Sequence, residues 1–305
     1  MNKLPVFMTA AVLAMSAVTP FCASAESAED YVPVMYLSVE DNDKISVLPN
    51  GTVYINTKDL TEENKIRVNV YIRDDSKSCW TVAPKVKSAD MYIKFTEDAI
   101  DPAEAGENSP YDSSEYGFYN TRDEEYNVLN MSFTAPMSDM LSGNIKKLPL
   151  TSDATDDYPL AYFNASVDSD IPSGKYRIYF LTESEDYADQ RITQVSLLDD
   201  EGNSVTVTPE VKEQKIVVSD RMLGDVNNDG LIDTVDATAI MMEYARLSAE
   251  KDPVFETGQS VSADVNDDNL VDTVDAAAIL SYYAYLSADK EYMEFVEYLA
   301  SYSAQ

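Results

Sequence analysis

Lys65-Ile66-Arg67-Val68-Asn69-Val70-Tyr71-Ile72-Arg73 alternates polar and apolar side chains without a break. In an extended chain successive side chains point to opposite faces, so this run reads as a strand that buries Ile66, Val68, Val70 and Ile72 on one side. The same period of two recurs on either side of it, at residues 52–55, 90–95, 128–133, 176–181, 191–197 and 215–218. Val, Ile, Tyr and Thr dominate these runs, and turn signals such as Asn50-Gly51 and Ser173-Gly174 separate them. About ten short strands with no helical stretch between them predict an all-β sandwich or barrel from about residue 31 to 218. Residues 97–126 carry ten acids and one Arg, and read as a long surface insertion between strands.

Composition narrows the chemistry. The chain has 305 residues, Lys+Arg 22 against Asp+Glu 55, and a formal net charge of −33. So acidic a surface repels phosphate, which argues against nucleic acid and anionic lipid as partners and favours stabilisation by bound cations. Histidine is absent, which excludes Ser-His-Asp and Cys-His nucleophiles and any His-ligated zinc. At 45% hydrophobic and 25% charged, the composition is that of globular material, not of an acidic disordered tail.

Residues 1–25 have the three parts of a secretory signal: Lys3, an apolar run over 6–18, and the small-x-small site Ala23-Ser24-Ala25. The apolar run falls short of the roughly 20 residues a bilayer span needs, and Pro20 interrupts it. No later segment is apolar enough to span. A secreted, extracellular protein is expected. Its two cysteines are Cys22 in the leader and Cys79, so the mature chain would hold a lone thiol and no internal disulfide. The organisation expected is a signal peptide over 1–25, a β-sandwich over 26–219 and a small all-α module over 220–305.

That last module contains an internal repeat. Residues 225–249 and 264–288 align without gaps, with 17 of the 25 paired positions identical. Each copy opens with a twelve-residue loop. Asp225, Asn227, Asp229, Asp233 and Asp236 fall at loop positions 1, 3, 5, 9 and 12, and Asp264, Asn266, Asp268, Asp272 and Asp275 repeat them. This is the spacing of an EF-hand, in which alternate oxygens converge on one ion and the backbone carbonyl at position 7, here Leu231 or Leu270, adds another ligand. A hard cation with 6–8 oxygen ligands suits such a loop, and calcium fits it better than magnesium, which keeps its waters, so two Ca2+ ions are expected, one per loop. Position 6 needs a left-handed turn, natural for Gly230 and tolerable for Asn269.

A helix is predicted after each loop, with Ala237, Ile240, Met241, Tyr244 and Leu247 on one face and Ala276, Ile279, Leu280, Tyr283 and Leu286 on its counterpart. Neither loop has a convincing entering helix, since Ile216-Val217-Val218 reads as a strand and residues 252–262 as a connector. Residues 289–302, with Tyr292, Phe295, Val296 and Leu299 at helical spacing, read as an additional capping helix.

The stretches Gly224-Asp225-Val226-Asn227-Asn228-Asp229-Gly230 and Ala263-Asp264-Val265-Asn266-Asp267-Asp268-Asn269 resemble a type I dockerin. The resemblance implies calcium-dependent docking to a cohesin module of a scaffoldin, and so membership of a plant-polysaccharide-degrading complex held near the cell surface. It also implies that Thr234-Val235 and Thr273-Val274 centre the recognition, helped by Met242 and Arg246 in the first copy and by Ser281 and Tyr285 in the second. With the same Thr-Val pair in both copies, either face is expected to dock, although the flanking residues differ. More weakly, Ile171-Pro172-Ser173-Gly174-Lys175-Tyr176-Arg177-Ile178 is similar to the start of a late strand in cohesin-like and carbohydrate-binding sandwiches. A jelly-roll or cohesin-like sandwich is therefore the expected fold of the first module.

What that sandwich does stays open between three readings. The favoured one is a non-catalytic module binding plant polysaccharide or serving structure, with Tyr111, Tyr116, Tyr119, Tyr126, Tyr158 and Trp80 as stacking candidates. The alternatives are a glycoside hydrolase built on paired carboxylates, a chemistry that needs no histidine, and an adaptor that binds another protein. No catalytic residue stands out.

Overall fold

The computed structural model describes residues 32–39, 45–61, 64–73, 85–96, 99–107, 117–135, 159–183, 191–198, 203–288 and 291–303. The leader, Cys79, Trp80, Tyr111, Tyr116 and Tyr158 lie outside these residues.

The run that opens the sequence argument is strand β4 (Lys65–Arg73). Its even-numbered apolar residues are buried. On its two edges stand β1 (Val34–Val39) and β9 (Ala161–Val167), both antiparallel to it. Beyond β9 comes β6 (Ile100–Glu107), and beyond β1, in parallel, β13 (Glu210–Lys212). These five strands form the first sheet.

The second sheet is built around β5 (Lys85–Phe95). One edge of β5 carries β8 (Val128–Thr134) and then β7 (Gly117–Asp123). Its other edge pairs first with β11 (Gln194–Leu198), which bears β12 (Ser204–Val207), and then with β10 (Gly174–Phe180). From β10 the sheet continues through β14 (Gln214–Ser219), β3 (Val53–Asn56) and β2 (Ile45–Val47). The β14–β3 pair is parallel.

The two sheets close over one core. Met35, Val68, Val70 and Phe163 come from the first, and Met91, Ile93, Phe133, Ile178 and Val218 from the second. Phe95 and Phe163 meet edge to face across the layers, with ring centroids 5.7 Å apart. The expected sandwich is present.

Residues 97–126 depart from expectation. Of them, residues 100–107 and 117–123 form β6 and β7 and are paired strands, while 97–98 and 108–116 lie outside the described residues. Strand β6 takes the edge of its sheet, where the missing N–H of Pro102 is tolerated, and the register shifts between Pro102 and Glu104. Glu104 stands in water 3.5 Å from Lys65, and Asp101 is partly exposed beside Arg122. An edge strand need not look apolar, which is why the acid count hid it.

The chain then turns helical. Four helices follow: α1 (Thr234–Ser248), α2 (Thr257–Ala263), α3 (Thr273–Ser287) and α4 (Phe295–Ser303). Helix α2 corrects the expectation that residues 252–262 form only a connector. Its sequence, with Gly258, carries little helical signal, and tertiary packing explains the glycine. A Cβ there would run into the Asp220 carboxylate. The apolar faces of the repeat helices also differ from the reading. Ala237 and Ile240 pack with Ala276 and Ile279, but Met241, Tyr244, Leu247, Leu280 and Tyr283 are exposed, while Glu243 and Tyr282 turn inward. Glu243 is buried because its carboxylate accepts the Val254 N–H at 2.9 Å and the Phe255 N–H at 3.4 Å, which closes the connector over α1.

Strand β14 reads Ile216-Val217-Val218 because both of its faces are covered. Ile216 and Val218 face the sandwich core, and Val217 joins Leu48 and Tyr54 in a second cluster with Leu223, Val226, Val261 and Val265 of the helical region. The two regions therefore share an apolar contact at this point. Among the described residues no helix is long and apolar enough to cross a membrane.

Candidate metal centre

Both twelve-residue loops wind along the same path. In the first, Asp225 accepts the N–H groups of Asp229 at 3.1 Å and Gly230 at 2.9 Å. Asn227 accepts from Asp229 N–H at 2.9 Å, and Asp229 from Leu231 N–H at 2.9 Å. In the second, Asp264 accepts from Asp268 and Asn269, each at 3.0 Å, while Asn266 accepts from Asp268 and Asp268 from Leu270. Positions 4 and 6 are left-handed in both, with φ of 61° at Asn228 and 86° at Gly230, then 53° at Asp267 and 69° at Asn269.

The ends of the loops are fixed by the helices they start. Asp233 and Asp272 are the N-caps of α1 and α3, accepting from Val235 and Val274 at 2.7 Å each. Asp236 and Asp275, in the first turns, reach back to the N–H of Asp233 at 3.0 Å and of Asp272 at 2.9 Å. Their other oxygens accept the N–H of Val226 and of Val265, each at 2.9 Å, so one carboxylate ties the start of its loop to the end.

These loops concentrate negative charge away from water. Asp225, Asp236 and Asp275 are at most 1% exposed. Among the described residues no lysine or arginine pairs with these three carboxylates. Burial, helped by Asp264 and Asp268, pushes the Asp275 carboxyl up to about 7. Burial and Asp225 raise Asp236 in the same direction. Among the described residues no three acids draw together into a ready metal cluster, because each carboxylate is engaged by N–H groups of its own loop. The donor chemistry nevertheless fits a hard cation: carboxylate and amide oxygens only, in a backbone already wound, with buried charge that a cation would neutralise.

The recognition residues expected from the sequence fall into two groups. Thr234, Val235, Thr273 and Val274 are exposed, as is Met242 at 66%. Arg246 is half-buried and donates to the Asp252 carbonyl at 3.0 Å. In the second copy, Ser281 and Tyr285 lie against α4. The hydroxyls of Ser281 and Tyr298 are 2.6 Å apart, and Tyr285 donates to the Glu291 carbonyl while its ring meets that of Tyr298. The side chains of Leu231 and Leu270 point into solvent. Of the stacking candidates that are described, Tyr119 stands 70% exposed on β7 and Tyr126 is half-buried.

A set of sandwich residues that the sequence did not single out touches the loops. Lys175, at the start of β10, places Nζ 2.8 Å from Asp264, 2.7 Å from Asp267 and 2.9 Å from Asn269. Thr52 donates to Asp267 at 2.7 Å, and Lys58 to Asn228 at 2.5 Å. Burial works against the ionised form of Lys175, but hydrogen bonds to Asp264 and Asp267 win and raise its affinity for the proton. Asp267 shows the converse: burial alone would raise its carboxyl, and Lys175 and Thr52 hold it below the usual range.

No family model matches the sequence, and no curated protein matches it. Solved structures do. The seventh ScaB type I cohesin from Pseudobacteroides cellulosolvens aligns with a TM-score of 0.37 at 13% identity, covering 62% of this chain and 93% of that one. A type II cohesin domain from the cellulosome of Acetivibrio cellulolyticus gives 0.39 at 12% identity, over 61% and 95%. A cohesin module from a family 33 glycoside hydrolase of Clostridium perfringens gives 0.35 at 12%, over 62% and 97%.

Proposed function

We propose that the helical region is a calcium-dependent docking module of the dockerin type. In this reading it carries a cohesin-like, non-catalytic sandwich into an extracellular polysaccharide-degrading complex. The observation that carries this reading is the gapless duplication of a loop with oxygen side chains at positions 1, 3, 5, 9 and 12, each copy leading into a capped helix. The first ion would be held by Asp225, Asn227, Asp229, Asp233, Asp236 and the Leu231 carbonyl. The second would be held by Asp264, Asn266, Asp268, Asp272, Asp275 and the Leu270 carbonyl. Calcium would supply charge neutralisation there. The chain's own contribution is to hold the backbone wound by side-chain-to-N–H bonds and to cap the following helices from the same carboxylates.

The partner surface is then the outer side of α1 and α3. Val235 and Met242, seven residues apart on one side of the first helix, are exposed, as are Met241 on that helix and Val274 and Leu280 on the second, apolar surface that a partner would cover. A cohesin module of a scaffoldin is the partner we assign to them. The test is calorimetric titration of calcium into the whole chain, followed by binding to a panel of immobilised cohesins with and without chelator. Saturable heat at two sites and chelator-sensitive retention are expected. Retention that ignores the chelator, or no heat at all, would overturn the assignment.

A further inference from the structure

The two loops differ at three of their twelve positions: Asn228 against Asp267, Gly230 against Asn269, and Ile232 against Val271. Two of those three replacements are the ones that touch Lys175. Its Nζ lies 2.7 Å from the Asp267 carboxylate and 2.9 Å from the Asn269 side-chain oxygen. The third contact, at 2.8 Å, is to Asp264, which the second loop shares with the first in the form of Asp225. Asp264 and Asp267 are buried, with side chains 4% and 3% exposed, so this is an ion pair largely withdrawn from water. Asn266 adds its carbonyl to the same contact zone by accepting from Asn50 at 3.4 Å, and Lys215 stands 3.9 Å from Asp267. The second loop has thus been altered where the sandwich's ammonium sits.

We infer that Lys175 is an internal cation for the second loop, so that docking of the sandwich and calcium binding at that loop oppose one another. This rests on the calcium reading given above. Asp264 holds loop position 1, and an ammonium hydrogen-bonded to it both occupies part of its oxygen capacity and repels a divalent ion a few ångströms away. Among the described residues the first loop meets a sandwich lysine at Asn228 alone, a neutral side chain at position 4, and no lysine at Asp225. The second loop is therefore the weaker calcium site. Coupling is reciprocal: whatever Lys175 costs calcium, calcium costs the Lys175 contact. The exchange makes the Lys175 contact, and not the packing around Val217, responsive to calcium concentration, with the first loop keeping its ion while the second trades one cation for another. Asn269 has a place in this exchange too: its φ of 69° costs more for asparagine than for glycine, and its bond to Lys175 offsets that cost.

The test is calcium titration of the full chain by calorimetry, comparing the natural sequence with Lys175→Met. The variant should tighten the weaker site about tenfold and leave the tighter one unchanged. Asn269→Gly, which restores the first loop's residue and removes one contact from the loop side, should move the weaker site in the same direction by a few-fold, and serves where Lys175→Met perturbs folding. Two binding events with affinities untouched by both variants would overturn the coupling while leaving the calcium reading intact. Absence of any calcium heat in the natural chain would overturn both.

Discussion

The Ser281 and Tyr298 hydroxyls lie 2.6 Å apart, so the second repeat helix is covered at this position by α4, whereas Met242, its equivalent in the first repeat, faces solvent at 66% exposure. The internal two-fold likeness of the repeat is thereby broken at the surface although it is kept in the loops.

From this asymmetry we expect the first copy to dominate partner binding. Met242→Asp should weaken retention on a matching cohesin by about 2 kcal/mol, the size of an interface hot spot, and Ser281→Asp should cost clearly less. Deleting residues 289–305 should uncover Ser281 and Tyr285 and bring the two effects closer. Surface plasmon resonance on the three variants would decide it, and equal losses in the full-length chain would count against a dominant face.

Replacing Asp225 and Asp264 together by Ala should abolish calcium heat and the calcium-induced gain in helical circular dichroism. Each carboxylate accepts two backbone N–H groups as well, so the double variant should also be destabilised without calcium, by about 1–3 kcal/mol per site.

With chelator present, stability should fall as pH rises from about 4 to about 7. Burial raises Asp275 from its ordinary range to about 7, and a carboxyl held protonated by the fold contributes stability that is complete below its unfolded pKa and lost as it ionises. A loss of roughly 2–4 kcal/mol is expected from that group. Asp275→Asn should flatten the profile, and urea melts at several pH values measure both. Saturating calcium should reverse the slope.

Glu243→Ala should destabilise the helical region by about 1–3 kcal/mol even with calcium bound, because it strands the Val254 and Phe255 N–H groups. Chemical denaturation reads this directly.

The non-catalytic reading of the sandwich proposed above predicts that the full chain releases no reducing sugar from plant polysaccharides. Release of sugar would instead favour the hydrolase alternative.

Central strands and both loops could be read directly from residue patterns. Strand β4 has a clean period of two because apolar residues on one face meet the core and Lys65, Arg67, Asn69 and Tyr71 occupy the other, and the loops have fixed spacing because a chain must wind to bring oxygens together. Edge strand β6 was illegible for the opposite reason: Pro102 and its acids satisfy an edge, not a core. Helix faces were misjudged where a polar residue had an inward task. Glu243 outranks Tyr244 for burial because two backbone N–H groups need it, and no hydrophobicity pattern encodes that need. Lys175 was quoted as part of a strand start, yet its partners are 89 to 94 residues away in sequence. A contact across that distance between a sheet and a loop leaves no periodic trace.

Five residues, 220–224, join the end of β14 to the first loop carboxylate, and Val217 is buried under the helical region they lead into. A tether that short, anchored at both ends, removes the swivel that long linkers give to attached modules. Whatever seizes the outer side of α1 therefore receives the sheet layers at a set bearing and distance. In a crowded assembly, neighbours would have to be spaced to suit this component, since it has little freedom to adapt to them.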